Sequence, residues 1–178
     1  FSELSGADEN GKIFFWEGRL FRAIHRESVE KVKNLFVNGL IDELIRNKLF
    51  PESWITDYSI DGFDLVLEHK NIRPVTYPRE WSFSMLKDAA LTVLKVNLIS
   101  RKYGYQIGDV HSNNIVFDGT VPVYVDLGSF DRIKSEDSGW SGYPGFLQCY
   151  YYPLRIWEEG NGYIARRVLI GSELECMP

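Results

Sequence analysis

Three oxygen-bearing side chains stand close together in the stretch Tyr105–Phe130, YQIGDVHSNNIVFDGTVPVYVDLGSF. Asp109 and Asn114 lie five residues apart in D-V-H-S-N-N, and Asp126 opens D-L-G after a short apolar run. Two carboxylates and an amide on loops suit phosphoryl transfer, in which a protein mainly positions reactants and offsets charge. In that chemistry Asp109 orients a hydroxyl nucleophile and accepts its proton. Asn114 and Asp126 supply hard oxygen ligands to magnesium, which keeps several waters and shares the phosphate oxygens of ATP. Taken singly, each residue favours a plainer reading, because Asp and Asn readily cap turns. The joint spacing carries the reading.

The surrounding pattern predicts elements able to hold such loops. Ile13–Trp16 and Arg19–Ile24 flank Glu17–Gly18 and read as a β-hairpin. From Glu27 the period changes: Val29, Val32, Leu35 and Phe36 predict a helix, closed at Gly39 and followed by a second one ending near Lys48. Strands are expected at Trp54–Ser59 and Phe63–His69, joined around Asp61–Gly62. Pro74 and Pro78 mark a crossing between lobes at Lys70–Glu80. A long helix over 83–102, capped by Ser82 or Ser84, carries the stripe Phe83, Leu86, Ala90, Val93, Leu94, Asn97 and Leu98. Beyond the motif loop, Asn114–Phe117 and Val121–Val125 form a second hairpin across Asp118–Gly119. Residues 131–142 read as a polar loop, Pro144–Trp157 as a buried helix, and the tail from Glu158 is weakly patterned.

Composition bounds the function classes. The chain has 178 residues, 44% hydrophobic and 25% charged, which is ordinary for a globular protein with a real core. A net charge of −5 argues against general nucleic-acid binding, since no basic field is present to release counterions. Arg166–Arg167 and the pair Lys31 and Lys33 read as solvated surface. No apolar run reaches membrane-spanning length and no signal peptide is visible, so a cytoplasmic protein with free thiols at Cys149 and Cys176 is expected. The start at Phe1 without Met suggests a fragment or a processed form.

The motif loop resembles that of protein kinases, and D-x-H-x-x-N with His111 resembles small-molecule kinases of the aminoglycoside phosphotransferase type. Packing of His111 inside the loop is an equal alternative. The kinase resemblance implies a phosphate-contacting cation on the hairpin's second strand, R-L-F-R-A-I. Arg22 stands at about that place, with Glu30 or Glu43 as partner, although a kinase uses Lys there and the two are not interchangeable. An exposed hairpin Arg is the plainer alternative. Leu65–His69, L-V-L-E-H, resembles a hinge whose backbone at Glu68 and His69 meets adenine. Gly6–Ile13 is rejected as a P-loop, since no Ser or Thr follows Lys12 and a hairpin follows where a helix is needed. It stays a poor candidate for a glycine-rich lid.

A narrower resemblance covers about residues 10–157. Y-P-R-E-W-S-F-S-M-L-K-D-A-A-L-T, V-x-V-Y-V-D-L-G-S-F and G-Y-P-G-F-L-Q-C-Y-Y-Y-P-L are similar to the N-terminal region of bacterial SAM-dependent methyltransferases, including nodulation-protein-like members. The expected fold is α+β: a single kinase-like domain with a small β-rich N-lobe at about 1–72 and a reduced, mostly helical C-lobe at about 73–178. Two functions follow. One is a phosphotransferase acting on a small hydroxyl-bearing substrate; the other is a catalytically silent module of an attached methyltransferase domain. A weaker third is an interaction domain docking through Tyr150–Trp157. Trp81 is expected to anchor the crossover, and Lys87 and Asp88 to lie on the exposed side of their helix or along a cleft.

Overall fold

Glu17 and Gly18 both adopt positive φ, 50° and 76°, forming the two-residue turn whose twist matches that of the strands it joins. Strand β1 (Gly11–Trp16) therefore pairs with β2 (Arg19–Ile24) from Trp16 opposite Arg19 to Gly11 opposite Ile24. This is a computed structural model describing residues 10–134 and 139–175, with side chains through Leu169. The chain divides into two compact units after Ile72.

In the first unit, helices α1 (Val29–Val37) and α2 (Leu40–Arg46) follow the hairpin. They bury Val29, Val32, Leu35, Leu40, Ile41 and Leu44, the apolar faces that the helical spacing demands. Gly39, at φ 85°, separates the two, and the Asn38 side chain caps α2 through the Leu40 N–H at 3.0 Å. Strands β3 (Ser53–Ile55) and β4 (Leu65–His69) complete an antiparallel sheet of order β1-β2-β4-β3. Both are shorter than expected. The Thr56 hydroxyl bonds the Val66 carbonyl at 2.9 Å and accepts the Tyr58 N–H at 3.3 Å, so local bonds compete with the ladder. Beyond β3 the Thr56 N–H still donates to the Val66 carbonyl at 2.9 Å, and Ile60 and Phe63 form an isolated bridge around Gly62.

The second unit opens with a short 3-10 turn at Pro78–Glu80 and the 20-residue helix α3 (Phe83–Lys102), whose N-cap Ser82 accepts the Met85 N–H at 3.3 Å. Leu86, Ala90, Val93 and Asn97 of the expected stripe are buried, and the buried face extends to Ala89, Thr92, Val96 and Ser100, whereas Leu98 is 64% exposed. Polar residues occupy the buried side because they bond the strands beneath. Asn97 Oδ1 accepts the Ile107 N–H at 3.3 Å, and Thr92 reaches the Pro122 carbonyl at 3.5 Å. Trp81 is fully buried, edge-on to Phe117, with its indole N–H directed to Thr76 Oγ1 at 3.3 Å. Lys87 and Asp88 are exposed.

Two small sheets follow: β5 (Tyr105–Ile107) with β8 (Phe130–Arg132), and β6 (Ile115–Asp118) with β7 (Val121–Tyr124). The second is the expected hairpin. The first was absent from the sequence reading, which treats both three-residue segments as loop. Helix α4 (Tyr143–Phe146) runs through a π-turn at Leu147–Tyr151 into α5 (Tyr152–Glu158). This segment is helical as expected but not uniformly buried: Cys149, Tyr150 and Pro153 are inside, while Tyr143, Tyr151 and Tyr152 are exposed. The weakly patterned tail forms α6 (Gly162–Glu175), which buries Ala165 and Leu169. Arg166 and Arg167 are exposed, and each lays its guanidinium over a ring, Trp157 at 5.1 Å and Tyr163 at 5.6 Å. The architecture is α+β, and no helix among the described residues is long and apolar enough to cross a membrane. Cys176 and the first half of Gly6–Ile13, residues 6–9, lie outside the described residues.

Candidate functional site

The loop after β5 is held by local bonds. Asp109 Oδ1 accepts the His111 N–H at 3.0 Å, an Asx-turn that aims the chain into the 3-10 turn Ser112–Asn114. The His111 carbonyl accepts the Asn114 N–H at 3.0 Å and the Tyr150 hydroxyl at 3.3 Å. Asn114 turns its side-chain nitrogen back to the Asp109 carbonyl at 3.3 Å, while its own carbonyl accepts the Val125 N–H at 2.9 Å. Asp126 repeats the device, its Oδ1 accepting the Gly128 N–H at 2.8 Å. Asp109 thus caps a turn through one carboxylate oxygen, as its plainer reading has it, and Asp126, at the end of its strand, does the same.

Tyr124 joins these turns. Its hydroxyl donates to the Asp109 carbonyl at 2.6 Å and bonds Ser129 Oγ, which in turn lies 3.1 Å from the Asp126 carbonyl. Burial raises the Tyr124 pKa well above the usual phenol range, and the negative charges of Asp126 and then Asp109 push it further up. The phenol thus stays protonated. The Asn114 side chain joins the same cluster through the Asp109 carbonyl. Tyr124 therefore ties the backbone of Asp109, and through Ser129 that of Asp126, into one neighbourhood, in which Asp109 is exposed and Asn114 and Asp126 are half-buried. Burial likewise pushes up Tyr150, the residue that holds the His111 carbonyl.

Tyr124 is not singled out by the sequence motifs, and Tyr150 enters there only as the start of a docking segment. Tyr124 ends an apolar strand two residues before Asp126. A phenol at that place, fully buried, must find an acceptor for its O–H. Among the described residues no three His, Cys, Asp or Glu side chains form a metal-holding group. The set gathered here is two carboxylates and an amide, an all-oxygen choice that suits a hard cation.

The other candidates lie in the first unit. Arg22 is 7% exposed in the interior strand β2, so it is not the exposed hairpin arginine of the plainer reading. Glu30 is exposed and Glu43 half-buried. Leu67 faces Arg22 and Leu20 faces His69 across the β2–β4 ladder, placing Arg22 and His69 on one side of the sheet. His69 is buried, bonded through Nδ1 to Ser53 Oγ at 2.7 Å. Desolvation, and then the Arg22 charge, push its pKa down to about 3. Glu68 points to the other side, where its carboxylate takes both Nε and Nη2 of Arg19. That bidentate pair holds Glu68 below the usual carboxylate range. Glu68 stands opposite both Phe21 and Trp54, and His69 opposite both Leu20 and Ser53. The ladder thus takes the backbone groups that the hinge expectation offers to adenine, and the next N–H, of Lys70, donates to the Glu52 carbonyl at 2.7 Å.

No protein-family model matches the chain. It is similar to nodulation protein NoeA of Rhizobium meliloti (strain 1021), with 28% identity over 159 residues covering 84% of this chain and 32% of that protein. The chain thus spans about a third of the length of the curated relative it matches.

Proposed function

We propose that the chain is a two-lobed, kinase-like domain that binds magnesium and ATP and phosphorylates a small hydroxyl-bearing substrate. The observation that supports this reading is the tie between the two loops: the Asp109 carbonyl takes both the Tyr124 hydroxyl and the Asn114 amide, and Tyr124 reaches the Asp126 carbonyl through Ser129. The residues fit a magnesium ion chemically. With its nitrogen directed to the Asp109 carbonyl, Asn114 is left with Oδ1 for a cation. Asp126 adds carboxylate charge, and magnesium needs only one or two protein ligands beside phosphate and water. When bound, the ion would neutralise charge on the phosphates. Asp109 is exposed and fixed by its Asx-turn, so it orients an incoming hydroxyl and accepts its proton. Within the first unit Arg22 is buried beside His69, and its fork geometry is no substitute for a lysine at phosphate.

The test is thermal unfolding with and without ATP and magnesium. Ligand binding to the folded state raises the midpoint by mass action. Asp126→Ala is expected to abolish the shift. No shift at about millimolar nucleotide, where a weak site would already respond, overturns the binding claim.

A second reading is favoured by the share of the relative that is matched. The domain is then a catalytically silent module of a longer, nodulation-protein-like enzyme, supporting an attached methyltransferase domain. Methyl transfer by the long protein that survives Asp109→Asn but fails when this region is removed would select it.

A further inference from the structure

The first unit carries a cavity of about 270 Å³ that the phosphoryl-transfer reading does not use. Phe14, Trp16, Phe21 and Tyr58 wall it, with Val66 at its base. Phe21 and Arg22 are neighbours on one strand, so they face opposite sides of the sheet. The cavity therefore lies on the side away from Arg22 and His69.

Its rings are set at different angles. Tyr58 stands edge-on to Trp16 and Phe21, at 5.5 and 5.7 Å, and Phe14 stacks on Phe21 at 5.3 Å. Trp16 and Tyr58 are half-exposed, 48% and 44%, and leave the cavity open to solvent. A box of electron-rich ring faces would ordinarily attract a cation. Here the chain supplies its own: the Arg19 guanidinium lies 5.1 Å from the Phe21 centroid and 5.9 Å from that of Tyr58. Glu68 neutralises that charge through Nε and Nη2, and Nη1 donates to the Tyr58 hydroxyl at 3.3 Å. Three of the guanidinium's five N–H groups are engaged, which leaves two as donors, beside the Tyr58 O–H.

From this we infer a binding site for a small, neutral, aromatic molecule of one or two rings that carries an acceptor oxygen. The volume is just under the usual range for drug-sized ligands, which limits ring count. The Arg19 guanidinium already lies against the Phe21 and Tyr58 rings where a cationic ligand would stack, and its pairing with Glu68 leaves no net charge to draw an anionic one. Of the lining side chains Tyr58 brings an O–H donor, which selects an acceptor oxygen on the ring system.

Three compounds of one shape separate these terms: 1-indanone, indane and 1-aminoindane, titrated into the 178-residue chain and followed by saturation-transfer NMR. The expected order is 1-indanone tightest, indane weaker, and the ammonium compound about tenfold or more below the ketone. Trp16→Ala is expected to weaken 1-indanone about tenfold, and Tyr163→Ala on α6 to leave it unchanged. Tyr58→Phe keeps the ring and removes a donor, so it narrows the preference for ketone over indane without disturbing the fold. Absence of transfer to 1-indanone at about 5 mM overturns the site, since even a weak pocket binds a fragment there. Equal binding by the wild type and Trp16→Ala, or by the ketone and the ammonium compound, overturns it as well.

Discussion

Tyr124 donates its hydroxyl hydrogen to the backbone carbonyl of Asp109 at 2.6 Å. Through Ser129 the same hydroxyl reaches the Asp126 carbonyl, so one buried phenol ties together two loops that are separate in sequence. The carboxylates are positioned by their backbones, and their backbones are positioned by Tyr124.

Tyr124→Phe is expected to keep the ring in the core and lose the bridge. Stability falls by roughly 1–2 kcal/mol, the worth of a buried hydrogen bond when the acceptor keeps a second donor. Urea unfolding measures the loss. On the proposed reading, the ATP-dependent thermal shift shrinks with it, because both loops are loosened.

Asp109→Asn preserves the Asx-turn, since an amide oxygen accepts the His111 N–H as a carboxylate does. The melting temperature and nucleotide binding should therefore be close to those of the parent. A coupled phosphoryl-transfer assay should show a loss of about 10²–10⁴-fold, the usual contribution of a general base. Unchanged turnover would remove Asp109 from that role.

Burial makes stability depend on pH through His69. Its folded pKa, about 3, lies below the unfolded value, so the unfolded chain takes up a proton first. The stabilisation is complete above about pH 6.5 and is lost as pH falls toward 3, by up to about 1.4 kcal/mol per unit. Glu68 acts in the same direction but only below the ordinary carboxylate range. The window from about pH 6.5 to 5 therefore isolates His69. His69→Gln should flatten the stability profile there, as measured by denaturant titrations at several pH values.

The hairpin turn offers a stabilising substitution. Glu17 sits at φ 50° without the tolerance that Asn has for that region. Glu17→Asn should raise stability by about 0.5–1 kcal/mol, with no change in the sheet, as read by thermal unfolding.

Much of the secondary structure was legible because its signals are local. The first hairpin follows from an X-Gly pair between apolar runs, the helix break from Gly39, and the hairpin before Asp126 from Asp118–Gly119. The β5–β8 pair was not legible, since three residues carry no period and their partners lie 25 residues apart in Tyr105–Ile107 and Phe130–Arg132. The face of α3 was legible in part: Leu86, Ala90, Val93 and Asn97 are buried as the stripe expects. Hydrophobicity also put Leu98 inside, but the helix instead buries Thr92, whose hydroxyl bonds the Pro122 carbonyl.

The residue types and spacing of Asp109, Asn114 and Asp126 are written in the chain, and so is the chemistry that two carboxylates and an amide suit. Their convergence is not, because it depends on a phenol from another strand finding its acceptors in the core. Likewise the strand R-L-F-R-A-I announces an arginine near a hairpin, but only strand pairing on both sides buries Arg22 and divides its neighbours between two faces. Period and turn chemistry act over a few residues and can be read in order. Burial, desolvation and shared hydrogen bonds arise between distant segments, and they exist only once the chain has packed.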